Sequence, residues 1–118
     1  MFRRNKLPII MQSEMAECGL VCIAMILGYY NQHVTLGDMR RHVKSTIKGI
    51  TLYQLKKITE HFGFIASVLR IEIDQLSSLH LPCIMHWNRD HFVVIYEITS
   101  KGIKIHDPSQ GRRFVPFN

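Results

Sequence analysis

The sequence has little cysteine, and its apolar runs are short. Three cysteines in 118 residues are an odd number in a short chain, which argues against a disulfide framework and for a reducing compartment. The longest apolar stretch, Leu20 to Leu27, is far below the roughly 20 residues that a membrane span needs. Nothing resembling a signal-peptide cleavage site follows it. We therefore expect a cytosolic chain that reaches a membrane only through another segment or a partner.

Acidic residues are also scarce. The chain has 9 Asp and Glu against 15 Lys and Arg, a formal net charge of +6, which suits an anionic membrane surface, an acidic peptide or nucleic acid. Basic residues are closely spaced at only two places in the sequence, 3–6 and 40–41. Since no strip of basic residues is interleaved with aromatic residues, we expect no nucleic-acid partner.

What is present is the composition of a globular domain whose fold class follows from the order of its predicted elements. The first half favours helices: one that is apolar on all sides from about Cys18 to Tyr30, a second starting near Thr35, and an amphipathic one from a capping box at Thr51 to Gly63. The second half has four runs rich in β-branched and aromatic residues, at 64–71, 83–87, 92–98 and 103–106, with a short helix at 74–79. Helices followed by an antiparallel sheet predict an α+β fold.

Cys18 lies where the buried helix begins, so its thiol is the first candidate for chemistry. A helix N-terminus presents the positive end of the dipole and unpaired N–H groups, which stabilise a thiolate. Glu17 acts in the opposite direction, so activation also needs an imidazolium partner. Gly19 leaves room for a substrate backbone, and Gln12 can direct a side-chain N–H to a developing oxyanion, beside the backbone N–H of Cys18. The alternative interpretation is a buried, inert cysteine.

Strand geometry selects His91 among the seven histidines. Asp107 falls on the apolar face of the strand at 103–107, where an unpaired carboxylate costs roughly several kcal/mol. If 99–101 is a three-residue hairpin loop, residue 98 pairs with 102, and His91 becomes the diagonal neighbour of Asp107 on the same face. The pattern predicts a His–Asp pair at a sheet edge and, with a helix-terminal thiol, a nucleophile, a base and an orienting residue. Taken singly, each residue also fits a turn or surface position.

Other polar residues receive no role from the sequence. His106 shares its strand face with Lys104 and points away from Asp107. Arg40 and Arg41 fit a solvent-exposed helix face. A zinc site from two cysteines of the first helix, Cys83 and His86 is disfavoured, because positions 83 and 86 point to opposite faces of a strand and no C-x-x-C pair is present. We expect neither a metal nor a cofactor.

Three motifs resemble the C39 bacteriocin-processing peptidases: LPIIMQSEMAECGL at 7–20, HWNRDHFVV at 86–94 and HDPSQG at 106–111. The likeness covers essentially the whole chain and is strongest to the N-terminal peptidase domains of colicin V-type peptidase-containing ABC exporters. It implies a papain-like fold, with N-terminal helices packed on a C-terminal antiparallel sheet. By matching motifs it also implies Cys18 as nucleophile, His91 as base, Asp107 as its orienter and Gln12 as oxyanion donor.

The same resemblance implies a function. Such domains lie on the cytoplasmic side of the bacterial inner membrane, ahead of a transmembrane and an ATP-binding domain of an ABC exporter. They cut a leader peptide from a precursor peptide after Gly-Gly or Gly-Ala. We therefore expect a cysteine endopeptidase that removes a double-glycine leader from a bacteriocin or microcin precursor before export. We also expect a single domain over residues 1–118, which stops before the last element that family domains usually have.

Two rival functions stay open. The first is a catalytically silent module that docks the leader, as in relatives in toxin exporters that have lost the cysteine; the presence of Cys18 argues against it. The second is a different Cys-His-Asp enzyme, transglutaminase-like or acetyl-transferring, with no demand for Gly-Gly.

Overall fold

Helices occupy the first half of the chain and strands the second, in the predicted order. The computed structural model describes residues 6–41, 49–87 and 91–118. The helices are α1 (Cys18–Tyr29), α2 (Leu36–Arg40) and α3 (Leu52–His61), with 3₁₀ segments at Met15–Glu17 and Ile73–Ser78. The strands are β1 (Cys83–Trp87), β2 (His91–Ile98), β3 (Gly102–Asp107) and β4 (Gly111–Pro116). The strands form one antiparallel sheet in the order β1-β2-β3-β4, so each pairs with its neighbour in sequence.

Helix α1 is buried because it has no polar face. Nine of its twelve residues are buried, and it packs on Phe92 and Val94 of β2. Alternate residues of β2 point to the other face of the sheet, where Val93 and Ile95 form a second core with Ile103 and Ile105 of β3. Strand β2 is therefore buried on both faces, which explains its continuous apolar run. None of the helices in the described ranges is both long and apolar enough to cross a membrane.

The capping signals act where the sequence predicts them. Thr35 accepts a hydrogen bond from the backbone N–H of Asp38 at the start of α2. Thr51 and Gln54 form a reciprocal capping box at the start of α3. Gly63, with a φ of 93°, follows the end of α3 in the left-handed region that glycine adopts without strain. These local contacts set the bounds of both helices.

One prediction about the sheet is wrong, and one strand was missed. The run at 64–71 forms no strand, and Ile65 is 98% exposed. A segment of high strand propensity forms a strand only where a partner strand pairs with its backbone. No described strand pairs with this run. Conversely, β4 was not predicted, because its two arginines and terminal proline lower its apparent propensity. An edge strand tolerates both.

The hairpin between β2 and β3 differs from the prediction in two ways that cancel. Ile98 pairs with Ile103 rather than with residue 102, so the loop is one residue longer than expected. A bulge at Tyr96 then shifts the register back, and Val94 pairs with His106. Because the two shifts compensate, the far ends of the strands keep the predicted register. The strand ends that carry His91 and Asp107 are thus brought together.

Candidate active site

His91 and Asp107 are hydrogen-bonded at one end of the sheet. His91 begins β2 and Asp107 ends β3, so the antiparallel pairing places them side by side. The Nε2–Oδ1 distance is 2.7 Å, and the side chains are 26% and 3% exposed. An ionised carboxylate only accepts hydrogen bonds, so Nε2 carries the proton and Nδ1 is left as the basic nitrogen. The pair has the geometry of a base and its orienting residue.

Asp107 receives hydrogen bonds at both of its carboxylate oxygens. Oδ1 also accepts from the backbone N–H and the hydroxyl of Ser109, at 2.9 and 2.8 Å. Oδ2 accepts from Nη1 of Arg113 at 3.2 Å. Burial by itself raises the pKa of Asp107, but the hydrogen bonds from His91 and Ser109 outweigh it, and the pKa of this carboxyl lies below its ordinary value. Asp107 is therefore ionised at neutral pH.

Cys18 lies at the first position of α1 and is 5% exposed. Burial is the main influence on its thiol and raises the pKa. Hydrogen bonds from the backbone N–H groups of Phe92, Gly19 and Cys18 itself lower the pKa, and the charge of Asp107 raises it. The net result is a pKa above the ordinary value for cysteine. Phe92 directly follows His91 in β2 and shares a core cluster with Cys18, so the thiol lies near the strand end that carries the candidate base. A thiol of raised pKa needs a proton acceptor or an imidazolium to react as the thiolate.

Glu17 faces away from this chemistry. Its carboxylate pairs with Nε of Arg40 and accepts the backbone N–H groups of Ser13 and Glu14, at 3.1 and 3.3 Å. The hydrogen bond from Arg40 is the main cause that lowers the pKa of Glu17. The expectation that Glu17 opposes the Cys18 thiolate is corrected, since the carboxylate that raises the pKa of Cys18 is Asp107. Arg40, predicted on a solvated helix face, is exposed and in addition binds Glu17 in front of Cys18.

The segment that carries Gln12 is tied to the end of β3 at two points. The backbone N–H of Gln12 donates to the carbonyl of Pro108 at 2.9 Å, and Nδ1 of His106 donates to the carbonyl of Pro8 at 2.9 Å. The side-chain Oε1 of Gln12 is buried without a hydrogen-bond partner among the described residues. Rotating the side-chain amide by 180° exchanges this oxygen for the N–H₂ group. Gln12 can therefore place a hydrogen-bond donor at a position that has no protein partner among the described residues.

Gly19 is packed closely against two neighbouring side chains. A Cβ at this position would lie 2.8 Å from two side-chain carbons of Ile50 and 3.3 Å from the ring of Phe92. The space beside Gly19 is thus occupied by core side chains. The expectation that Gly19 leaves room for a substrate backbone stays a prediction.

Comparison with known proteins identifies the family. The Peptidase C39 family model matches residues 6–117. The chain belongs to the peptidase C39 family. The probable microcin-H47 and the colicin V secretion/processing ATP-binding proteins of Escherichia coli are each 38% identical to it over 112 residues. Each alignment covers 95% of this chain but 16% of the relative, so the chain spans about one sixth of their length.

Solved structures agree with this C39 assignment. The crystal structure of a double glycine motif protease from an AMS/PCAT transporter, in complex with the leader peptide, matches with a TM-score of 0.88 at 36% identity, over 96% of this chain and 81% of that one. The peptidase domain of Streptococcus ComA, a bifunctional ABC transporter, matches with a TM-score of 0.81 at 16% identity, over 94% and 87%, and shows the fold alone. The predicted papain-like α+β fold is confirmed.

Three residues of this C39 domain escaped the sequence analysis. Ser109 had a visible signal, because Asp-Pro-Ser is a common turn in which the aspartate binds the N–H two residues on. Arg113 required β4, which was not predicted. His106 was expected to point away from the site, and it is buried and holds Pro8. Burial is the main cause that lowers the pKa of His106, so this ring is neutral at neutral pH.

The zinc alternative has no cluster in the described part of the chain. The described residues include no group of three or more His, Cys, Asp or Glu side chains that could hold a metal ion. Cys22 lies on α1 and is fully buried in the hydrophobic core. Burial raises its pKa well above the ordinary value for cysteine. Burial raises the pKa of Cys83 to about 11. Of the three thiols, Cys18 is the one whose pKa is lowered by the backbone N–H of Phe92, the residue after His91.

Proposed function

We propose that this C39 domain is a cysteine endopeptidase that removes a double-glycine leader from a bacteriocin or microcin precursor before an ABC exporter moves the peptide out. The observation that carries the proposal is the arrangement at one sheet end. His91 is hydrogen-bonded to the buried Asp107, and the next residue, Phe92, lies in one core cluster with Cys18, where its backbone N–H lowers the pKa of that thiol. A nucleophile, a base and an orienting residue are the minimum for acyl transfer by a thiol.

In the proposed reaction, Nδ1 of His91 takes the proton of Cys18, and the thiolate attacks the carbonyl of the second leader Gly. Gln12 and the backbone N–H of Cys18 stabilise the oxyanion. The C–N bond breaks, His91 returns the proton to the leaving amine, and the leader stays on Cys18 as a thioester. Water, deprotonated by His91, then releases the leader and restores the thiol. Asp107 keeps the imidazole in the required tautomer and stabilises the imidazolium.

The proposed partners follow from the relatives. Those from Escherichia coli are described as secretion/processing ATP-binding proteins, and the solved double glycine motif protease was crystallised with its leader peptide. We therefore assign this domain a precursor peptide as substrate. We also assign it the transmembrane and ATP-binding domains of an exporter as partners, on the cytoplasmic side of the inner membrane.

The test is mass spectrometry of a double-glycine leader–peptide fusion incubated with the protein. We expect cleavage after the second Gly, a loss of at least about 1,000-fold in Cys18→Ala, and retained cleavage in Cys22→Ala. Cys22 is the matched control because it is a cysteine of the same helix that lies in the core. Cleavage that survives Cys18→Ala, or that ignores the Gly pair, would contradict the proposal.

The silent docking module makes a different prediction. It binds the leader without cleaving it, and its Cys18 reacts with iodoacetamide no faster than Cys22 or Cys83. Our proposal predicts that Cys18 is alkylated first, because His91 accepts its proton while Cys22 is fully buried and Cys83 has a pKa raised to about 11. Binding without cleavage, together with an unreactive Cys18, would replace the peptidase by the docking module.

A further inference from the structure

The edge strand β4 brings a cation to the far side of Asp107. In the β3–β4 register, Asp107 pairs with Gly111 and Ile105 pairs with Arg113. Asp107 and Arg113 are therefore diagonal neighbours on one face of the sheet. Because Gly111 has no side chain, nothing on that residue stands between them, and Nη1 of Arg113 reaches Oδ2 of Asp107 at 3.2 Å.

The two oxygens of Asp107 have separate partners. Oδ1 binds His91 and Ser109, and Oδ2 binds Arg113. Serine adds no charge, and the imidazole is charged only when protonated, whereas a guanidinium keeps its charge at every pH of interest. Arg113 thus supplies a permanent positive charge in contact with this carboxylate, whose side chain is 3% exposed.

The charge of Asp107 matters for the nucleophile. A buried carboxylate stabilises an imidazolium on His91, but it also raises the pKa of the Cys18 thiol. The same residue therefore helps the base and hinders the thiolate. A fixed cation on the opposite side of the carboxylate reduces the second effect without removing the hydrogen bond that orients His91.

We propose that Arg113 is a positioning residue of the reaction: it fixes the Asp107 carboxylate and offsets its charge, so that the Cys18 thiolate forms at lower pH than it otherwise would. The inference rests on the proposed peptidase function. It assigns β4 a part in the chemistry in addition to its pairing with β3.

Other ionisable groups face this cluster from the elements packed on it. From α1 these are Cys18 and, one turn along, Cys22, whose pKa burial holds well above its ordinary value. The Glu17–Arg40 ion pair joins the residue before α1 to the end of α2 and makes its contacts outside the cluster. On the opposite face of β3 and β4, His106 pairs in register with Arg112, and burial lowers the pKa of His106. Replacing Arg113 leaves these groups in place, so the change in charge is local.

The experiment measures two pH profiles for wild type, Arg113→Gln, Arg113→Lys and Arg112→Gln: kcat/KM for leader cleavage, and the alkylation rate of Cys18 by iodoacetamide. In Arg113→Gln, the positive charge beside Asp107 is lost, so the Cys18 thiol loses its proton at a higher pH. We expect the acid limb of the kcat/KM profile and the alkylation curve to move up by about 0.5–1 pH unit, which makes the reaction three- to tenfold slower on the acid limb. Arg113→Lys restores most of the shift.

Arg112→Gln is the matched control, since it removes the same charge from the adjacent, exposed residue on the other face of β4. An equal shift in this control would overturn the proposal, because a general charge effect would explain both. So would a rate loss in Arg113→Gln that is the same at every pH, as damage to the fold would produce. The two proposals can also fail separately. If the alkylation curve shifts in Arg113→Gln but the wild-type protein cleaves no double-glycine substrate, the effect of Arg113 on Cys18 is supported and the peptidase function is refuted.

Discussion

The helix side and the sheet side of the site position their key residues by different means. On the helix side, residues 13–29, Cys18 is placed by the apolar packing of α1. The groups that lower the pKa of its thiol are all backbone N–H groups. On the sheet side, which comprises β2–β4 and the arm that holds Gln12, His91 is placed by a side-chain network centred on Asp107.

Burial acts to raise the pKa of a key group on each side, but the hydrogen bonds that oppose it differ in strength. It raises the pKa of the Cys18 thiol, and the backbone N–H groups do not outweigh it. It also acts to raise the pKa of the Asp107 carboxyl, but there the hydrogen bonds from His91 and Ser109 do outweigh it. Packing of α1 therefore determines where the candidate nucleophile lies, and the network around Asp107 determines how the carboxylate is held. Apart from Cys18 itself, we expect changes on the helix side to alter stability and changes on the sheet side to alter rate.

Apart from loss of Cys18 itself, the largest effect is expected from Gln12→Ala on the sheet side. A donor that acts only on the oxyanion contributes to the transition state alone, so we expect kcat to fall by about 100- to 1,000-fold with little change in KM. The control is Gln110→Ala, which removes an exposed glutamine from the turn after β3. Steady-state kinetics of leader cleavage measure both. Equal losses in the two variants, or a loss carried by KM, would contradict the role of Gln12.

An intermediate effect is expected from Gly19→Ala on the helix side. The added methyl meets Ile50 at 2.8 Å, and overpacking of this kind costs about 1–3 kcal/mol of unfolding free energy. Urea unfolding measures it, and the double variant Gly19→Ala/Ile50→Ala should lose less than the sum of the two single variants. If instead the rate per folded molecule fell while stability stayed unchanged, Gly19 would serve substrate approach and the comparison would break.

The smallest effect is expected from Glu17→Gln. The hydrogen bond from Arg40 lowers the pKa of Glu17 below its ordinary value of 4.5. A carboxyl with a lowered folded pKa stabilises the protein above its unfolded pKa, and this contribution is lost as the pH falls through the folded pKa. Glu17→Gln should therefore lower the urea midpoint at neutral pH and lose less on acidification than wild type. Half-exposure of Arg40 keeps the effect small.

The control for this prediction is Asp38→Asn, which removes a half-exposed carboxylate from α2. It should change the acid sensitivity of the midpoint less than Glu17→Gln does. If the two variants responded alike, the Glu17–Arg40 pair would contribute no more than an ordinary surface charge, and the loop before Cys18 would be held by its backbone contacts.

Local patterns in the sequence predicted most of the elements and the residues that meet at the site. The absence of a polar face made α1 a buried helix, and alternation along β3 put Asp107 on the apolar side of the sheet. The pairing with His91 survived an error in the loop, because the bulge at Tyr96 restored the register. The catalytic roles of these residues stay predictions, since hydrogen-bond geometry alone does not measure a reaction.

By itself, then, the sequence determined the order of the elements, the face on which each side chain lies and the meeting of His91 with Asp107. The tertiary structure alone decided that 64–71 pairs with none of the described strands, that β4 brings Arg113 to Asp107, and that His106 holds Pro8 across 98 positions of the chain. The physical reason is range. Periodicity and capping act over a few residues, whereas the partner of a strand edge, a buried ring or a carboxylate oxygen is selected by packing between distant segments.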